Sequence, residues 1–184
     1  MSKVEEAVES LLREFGRDPS KEEGIRKTPE RVAKMFKEFK ERQDVSFSTF
    51  PANGTDQMVI VNNIQFYSFC EHHLLPFSGK AAVGYIPNPN GKICGISKLA
   101  RVVDRFALRP QTQEYLTNQV ADFLEERLGA VGVGVLLQAE HLCMSMRGVR
   151  KPGSMTTTSS LRGAIMDNPG AREEFLRLAT EGVR

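Results

Sequence analysis

Residues Val131–Arg147, VGVGVLLQAEHLCMSMR, decide how this chain is read. Side chains alternate across a β-strand, so Val133, Val135, Leu137, Ala139, His141, Cys143, Ser145 and Arg147 would share one face of a single long strand. That face begins apolar and ends in an imidazole, a thiol and a guanidinium. A strand of this kind anchors a core at one end and presents chemistry at the other.

Upstream of it, two helices are expected. Ser97 is placed to cap the first, with Leu99, Val102, Val103 and Phe106 facing inward. Thr112 caps the second, which carries Leu116, Val120, Phe123, Leu124 and Leu128 and stops at Gly129. Further back the texture is β-rich: 58–61 and 64–68 flank the polar pair Asn62-Asn63, and 80–86 forms another run. Pro87-Asn88-Pro89-Asn90-Gly91 reads as a turn.

At the N-terminus, Val4, Ala7, Val8, Leu11, Leu12 and Phe15 form the stripe of an amphipathic helix ending near Gly16. A second helix is expected with Thr28 as N-cap and Pro29 at the first helical position, and Val32, Met35, Phe36 and Phe39 on its apolar face. Residues 43–57 read as a connection, the Ser/Thr run 154–160 as a loop by composition, and 171–180 as a last helix. The order implies an α+β fold with a mainly antiparallel sheet, divided into an N-terminal helical arm over 1–45 and a main body over 46–184.

Composition narrows the function classes. The 184 residues include 40% hydrophobic and 26% charged, the profile of a folded globular protein. Lys plus Arg number 25 against 23 Asp plus Glu, a net charge of +2 that gives no argument for nucleic acid. The start lacks the pattern of a signal peptide, and no apolar run approaches the ~20 residues that cross a bilayer. Three cysteines cannot close into a disulfide framework, so a reducing cytoplasm is the expected location.

All three histidines fall beside a cysteine, in Cys70-Glu71-His72-His73 and His141-Leu142-Cys143. Cys70 and His73 have a C-x-x-H spacing from which two ligands on a turn reach one zinc ion, and Cys143 can add a third. Three protein ligands leave a position for water, the catalytic arrangement; His72 and His141 then remain as proton carriers, since imidazole ionises near neutral pH. A four-ligand structural site that includes His141, or plain core packing of His141 and Cys143, is also compatible with the spacing. Cys94 has no histidine neighbour and reads as packing.

These residues lie in blocks that resemble one family. Ser68–Gly79 (SFCEHHLLPFSG), Gly95–Val103 (GISKLARVV), Arg109–Glu114 (RPQTQE) and His141–Val149 (HLCMSMRGV) are similar, in order, to type I GTP cyclohydrolases, as is Thr28–Val32 (TPERV) near the N-terminus. Cys94 stands where that family usually has an aliphatic residue. The resemblance implies a tunnelling-type (T-fold) antiparallel sheet with helices on one face, joined between subunits into a barrel-shaped homo-oligomer. A decamer with active sites at subunit interfaces is the expected assembly.

It also implies a reaction, GTP plus water giving 7,8-dihydroneopterin triphosphate and formate. Zinc-activated water attacks purine C8, and ring opening, ribose rearrangement and pterin ring closure follow. On this resemblance Cys70, His73 and Cys143 hold one Zn2+ per subunit, His141 protonates N7, His72 assists ring opening and Ser97 serves the rearrangement. Gln113 and Glu114 meet the guanine edge, while Lys98, Arg101 and Arg147 contact the triphosphate. Arg31 and Lys34 reach a neighbouring subunit's site. A deazapurine nitrile reductase of the same fold and a non-catalytic zinc or nucleotide-binding module are the alternatives. The first wants a nucleophilic cysteine and no zinc, and the second is expected to have lost His72 or His141.

Overall fold

The computed structural model describes residues 1–42 and 46–181. The chain divides into two compact units, Met1–Asp44 and Val45–Arg184. The first residues of the expected connection, 43–45, lie outside the described residues.

In the first unit, α1 (Lys3–Glu14) opens with a capping box. Ser2 Oγ accepts from the Glu5 N–H and the Glu5 carboxylate accepts from the Ser2 N–H. It ends just before Gly16, whose φ of +73° reverses the chain, as the stripe predicts. Helix α2 (Thr28–Arg42) packs on α1. Thr28 is already helical rather than a cap, because the Arg31 N–H donates to the carbonyl of Lys27.

The second unit is built on a five-stranded sheet. Strand β1 (Thr49–Pro51) pairs with β4 (Lys92–Cys94) in a separate ribbon. Between them run β2 (Val59–Cys70) and β3 (Pro76–Ile86). The two short strands expected around Asn62-Asn63 are one strand carrying a bulge, with Asn63 at φ +58°. There follow α3 (Ile96–Ala107), the short β5 (Pro110–Gln111), α4 (Gln113–Leu128), β6 (Gly132–His141), the single turn α5 (Leu142–Ser145), β7 (Met155–Gly163), α6 (Ala164–Asp167) and α7 (Pro169–Glu181). The sheet order is β5-β2-β3-β6-β7, antiparallel except where β5 lies parallel to β2. The architecture is therefore α+β.

Helices cover both faces of this sheet, which corrects the expectation of one covered face. Ala81, Val83 and Tyr85 of β3 and Val133, Val135 and Leu137 of β6 pack under α3 and α4, against Leu99, Val102, Leu116, Val120 and Leu124. The alternate residues Ala82 and Leu136 turn the other way and meet Ile165, Phe175 and Ala179 of α6 and α7. The run GVGVLL, residues 132–137, is apolar at every position because it is buried on both sides. Each fully buried Val, Leu or Phe contributes roughly 1.5–3 kcal/mol. On the α7 side Gly134 has no side chain to spare: a Cβ there would lie 2.7 Å from the Phe175 ring.

Two further expectations are corrected. The long strand stops at His141 instead of continuing to Arg147, and the chain turns into α5. The turn is held locally, since the Ser145 hydroxyl donates to Glu140 Oε1 at 2.6 Å and the Met146 N–H donates to the carbonyl of Leu142. The Ser/Thr run is not a loop but strand β7, paired along β6 from Met155 to Gly163.

Candidate metal centre and active site

A tight turn after β2 builds the first half of the site. The Cys70 N–H donates to the carbonyl of Leu75, and the amides of His73 and Leu74 return to the carbonyl of Cys70. Leu74 takes a φ of +54° to close this turn. Cys70 stays at the buried edge of the core while His72 and His73 are exposed. Turn α5 supplies the second half by carrying Cys143 off the end of β6. One ligand atom each from Cys70, His73 and Cys143 lies within 4.8 Å of the others, the one group of potential metal-binding side chains of this kind among the described residues. Two sulfurs and an imidazole nitrogen at this separation suit a single late divalent ion such as zinc.

The neighbours of these three side chains carry charge and protons. The Cys70 sulfur is 3.7 Å from His73 Nδ1 and 3.8 Å from His72 Nδ1. Arg147 Nη1 donates to His73 Nε2 at 2.8 Å, and Glu71 Oε1 is 3.6 Å from His72 Nε2. Burial pushes the Cys143 thiol above its ordinary pKa, and the adjacent Cys70 pushes in the same direction.

His141 stands at the last position of β6, half-buried, with the Phe77 ring stacked flat on it at 4.4 Å. Burial lowers its pKa, and the nearby Glu114 carboxylate opposes that shift. Its Nε2 is 2.8 Å from Gln113 Oε1. Gln113 is only 1% exposed and its amide nitrogen is occupied by the carbonyls of Leu137 and Thr156 and by Thr158 Oγ1. This side chain, expected on a ligand's edge, faces inward to His141 in the structure. Glu114, one residue on, is exposed.

The other expected residues are distributed over the surface of α3. The N-cap of this helix is Gly95, without a side-chain cap, so Ser97 lies inside the first turn and is exposed. Lys98 Nζ donates to the carbonyl of Ser46 at 2.8 Å. Among the described residues, neither these two nor Arg101 makes a hydrogen bond or ion pair with the Cys–His cluster. Arg31 and Lys34 are exposed on α2, in the other unit.

Sequence reasoning missed two supports. Phe77 is opposite His141 in the β3–β6 ladder, a pairing legible only once the register is known. Glu140 accepts from the Ser145 hydroxyl and from the Gly153 N–H, bracing the segment that bears Cys143 and Arg147, and both bonds hold its carboxyl below the usual range.

The sequence model of the family described as GTP cyclohydrolase I matches residues 4–180. GTP cyclohydrolase 1 of Sulfurihydrogenibium is 51% identical over 178 residues, covering 96% of this chain and 94% of that protein. The protein of the same name from Aquifex aeolicus is 52% identical over 177 residues, covering 96% and 95%. That from Streptomyces avermitilis is 52% identical over 181 residues, covering 96% and 89%. Among solved structures, the apo form of the archaeosine synthase QueF-Like superposes with a TM-score of 0.47 at 17% identity, covering 58% of this chain and 93% of that one. The match to the family runs through every element that builds the Cys–His cluster, and the chain belongs to the GTP cyclohydrolase I family.

Proposed function

We propose that the chain hydrolyses GTP to 7,8-dihydroneopterin triphosphate and formate at the Cys70–His73–Cys143 cluster. The observation that carries this reading is the convergence of Cys70, His73 and Cys143, with His72 at the Cys70 sulfur and His141 two residues before Cys143. When bound there, Zn2+ would supply Lewis-acid activation of a water for attack at purine C8. Two thiolates already balance its charge, which leaves more of the proton work to side chains.

His141 donates a proton to N7, and Phe77 keeps its ring plane fixed while it does so. His72 assists ring opening from the ribose side, and Ser97 serves the later ribose rearrangement. The Glu114 carboxylate accepts from guanine N1–H and the 2-amino group, a donor pair that adenine does not present. Lys98, Arg101 and Arg147 bind the triphosphate. Arg147 already lies within hydrogen-bonding distance of His73, so it is suited to join the phosphates to the metal side of the site. Arg31 and Lys34, on the arm formed by residues 1–45, serve a neighbouring subunit.

The assembly consistent with this is a T-fold barrel of subunits, two stacked pentamers with shared active sites, acting in the cytoplasm. The outer strands β5 and β7 end the sheet within one chain, and oligomer closure is one way to cover such edges. No described helix is long and apolar enough to cross a membrane.

The test is incubation of zinc-loaded protein with GTP, assaying formate and a fluorescent pterin beside Cys143→Ser. Both products from the parent and neither from the variant are expected. A folded, zinc-loaded parent that releases no formate would overturn the reading.

A further inference from the structure

The hydrogen bonds around Gln113 run in one direction only, and that direction can be read atom by atom. The carbonyls of Leu137 and Thr156 accept and never donate, so the Gln113 amide must turn its NH2 group toward them, at 3.2 and 3.0 Å. The third acceptor, Thr158 Oγ1, agrees. The Thr117 hydroxyl gives its one proton to the carbonyl of Gln113 at 2.6 Å, so the 2.6 Å contact between Thr117 and Thr158 must be donated by Thr158. Thr158 Oγ1 is then free to accept from Gln113 Nε2 at 3.0 Å. With the amide so oriented, Gln113 Oε1 faces His141 and can only accept, and His141 Nε2 must carry a hydrogen.

We propose that Gln113 is a positioning residue that locks His141 as the Nε2–H tautomer, leaving Nδ1 as the ring atom that exchanges a proton with the ligand. This rests on the reading of His141 as the proton carrier. Three features support it. Gln113 is fully buried, so water does not compete for its amide. The stacked Phe77 ring, inclined by 4°, fixes the plane in which the imidazole sits. No protein group among the described residues hydrogen-bonds to Nδ1. Reversing the amide would set Oε1 against two carbonyl oxygens and leave buried acceptors without donors, an arrangement proteins rarely tolerate.

The test uses the full zinc-loaded chain labelled with 15N-histidine, where only three histidines need assignment. With the ring neutral, the parent should give a pyrrole-type signal for His141 Nε2 and a pyridine-type signal for Nδ1. In Gln113→Met the two tautomers should mix. Its kcat should fall on the order of 100-fold while KM for GTP stays within about twofold. A parent spectrum with the hydrogen on Nδ1 would overturn the proposal without any variant. So would a Gln113→Met protein with the parental tautomer, or one whose KM alone rises, the signature of a guanine contact. Formate release by His141→Gln at the parental rate would instead remove the proton-carrier reading, whatever tautomer the spectrum shows.

Discussion

Phe77 and His141 are register partners in the β3–β6 ladder, and their rings stack with centroids 4.4 Å apart and planes 4° from parallel. The His141 imidazole is thus held by the sheet itself. Phe77 is 1% exposed and also meets Phe66, a core residue, edge-on at 6.1 Å. A proton carrier mounted this way keeps its orientation without help from a ligand.

Replacing Phe77 by Leu should separate orientation from binding. The substitution removes the flat contact and part of the core volume, at a cost of roughly 1–2 kcal/mol in unfolding free energy. kcat for formate release should drop with KM for GTP little changed, because the GTP contacts proposed above lie on other residues. Steady-state kinetics beside a urea melt decides it: an unchanged kcat in a folded variant would mean that the stack does not orient the ring.

The cluster should bind one zinc per chain and fail to do so tightly in Cys143→Ser. Cys143 sits on the α5 turn and only packs at the margin of the core, so circular dichroism of the variant should match the parent. Chelation of the parent should abolish formate release and added zinc should restore it. Zinc retained by Cys143→Ser at parental affinity would remove Cys143 from the ligand set.

The pH dependence of that binding has a definite sign. The Cys143 thiol is raised by burial and by the neighbouring Cys70, so near neutral pH it holds its proton until a metal displaces it. Zinc binding should therefore release protons and tighten as pH rises. Calorimetry in two buffers of different ionisation enthalpy measures the release; identical heats in both would contradict it.

What the sequence displayed and what it hid follow from range. The Cys–His pairs were legible because ligands three apart on a turn are a local pattern, and the helix stripes of α1 to α4 are local too. The end of β6 was not, because Leu142–Ser145 holds no Gly or Pro to mark a break from the strand before it. What stops the strand is the hydroxyl of Ser145 reaching back to Glu140. Strand β7 was hidden for the opposite reason: its Ser and Thr side chains suggest a loop, and only pairing along β6 makes it a strand. The second covered face depended on where α7 comes to rest, far from Ala82 in sequence. The burial of Gln113 was hidden too, because it is a property of the fold.

Tyr85 should make the protein sensitive to alkali. It is 1% exposed, its hydroxyl accepts from the Cys94 N–H at 3.2 Å, and burial pushes its pKa up to about 12. In the unfolded chain a tyrosine ionises near pH ~10, so the stabilisation is whole below that value. It is lost as pH rises through the window from ~10 to about 12, to a total of about 2–3 kcal/mol. Urea melts of the parent across this window should show a steeper loss than those of Tyr85→Phe, which has no proton to release. Parallel losses would mean that the tyrosine is not responsible.

The second face of the sheet depends on a single close approach. A Cβ on Gly134 would come within 2.7–2.8 Å of three atoms of the Phe175 ring, so Gly134→Ala must push α7 outward or turn that ring off its rotamer. Either response should cost roughly 1–3 kcal/mol, the usual range for overpacking. The cause can be isolated by a second change. Phe175→Leu alone also destabilises, by leaving a cavity between Ala82, Leu136 and Ile165. In the double variant the added methyl enters the space that the ring vacated, so the two losses should sum to more than the double variant shows. A double-mutant cycle by urea denaturation reads this directly. Strict additivity would mean that Gly134 is needed for its backbone and not for the room it leaves. The Cys–His cluster lies at the far end of β6 from Gly134, so zinc content per folded chain should not change in any of the three variants.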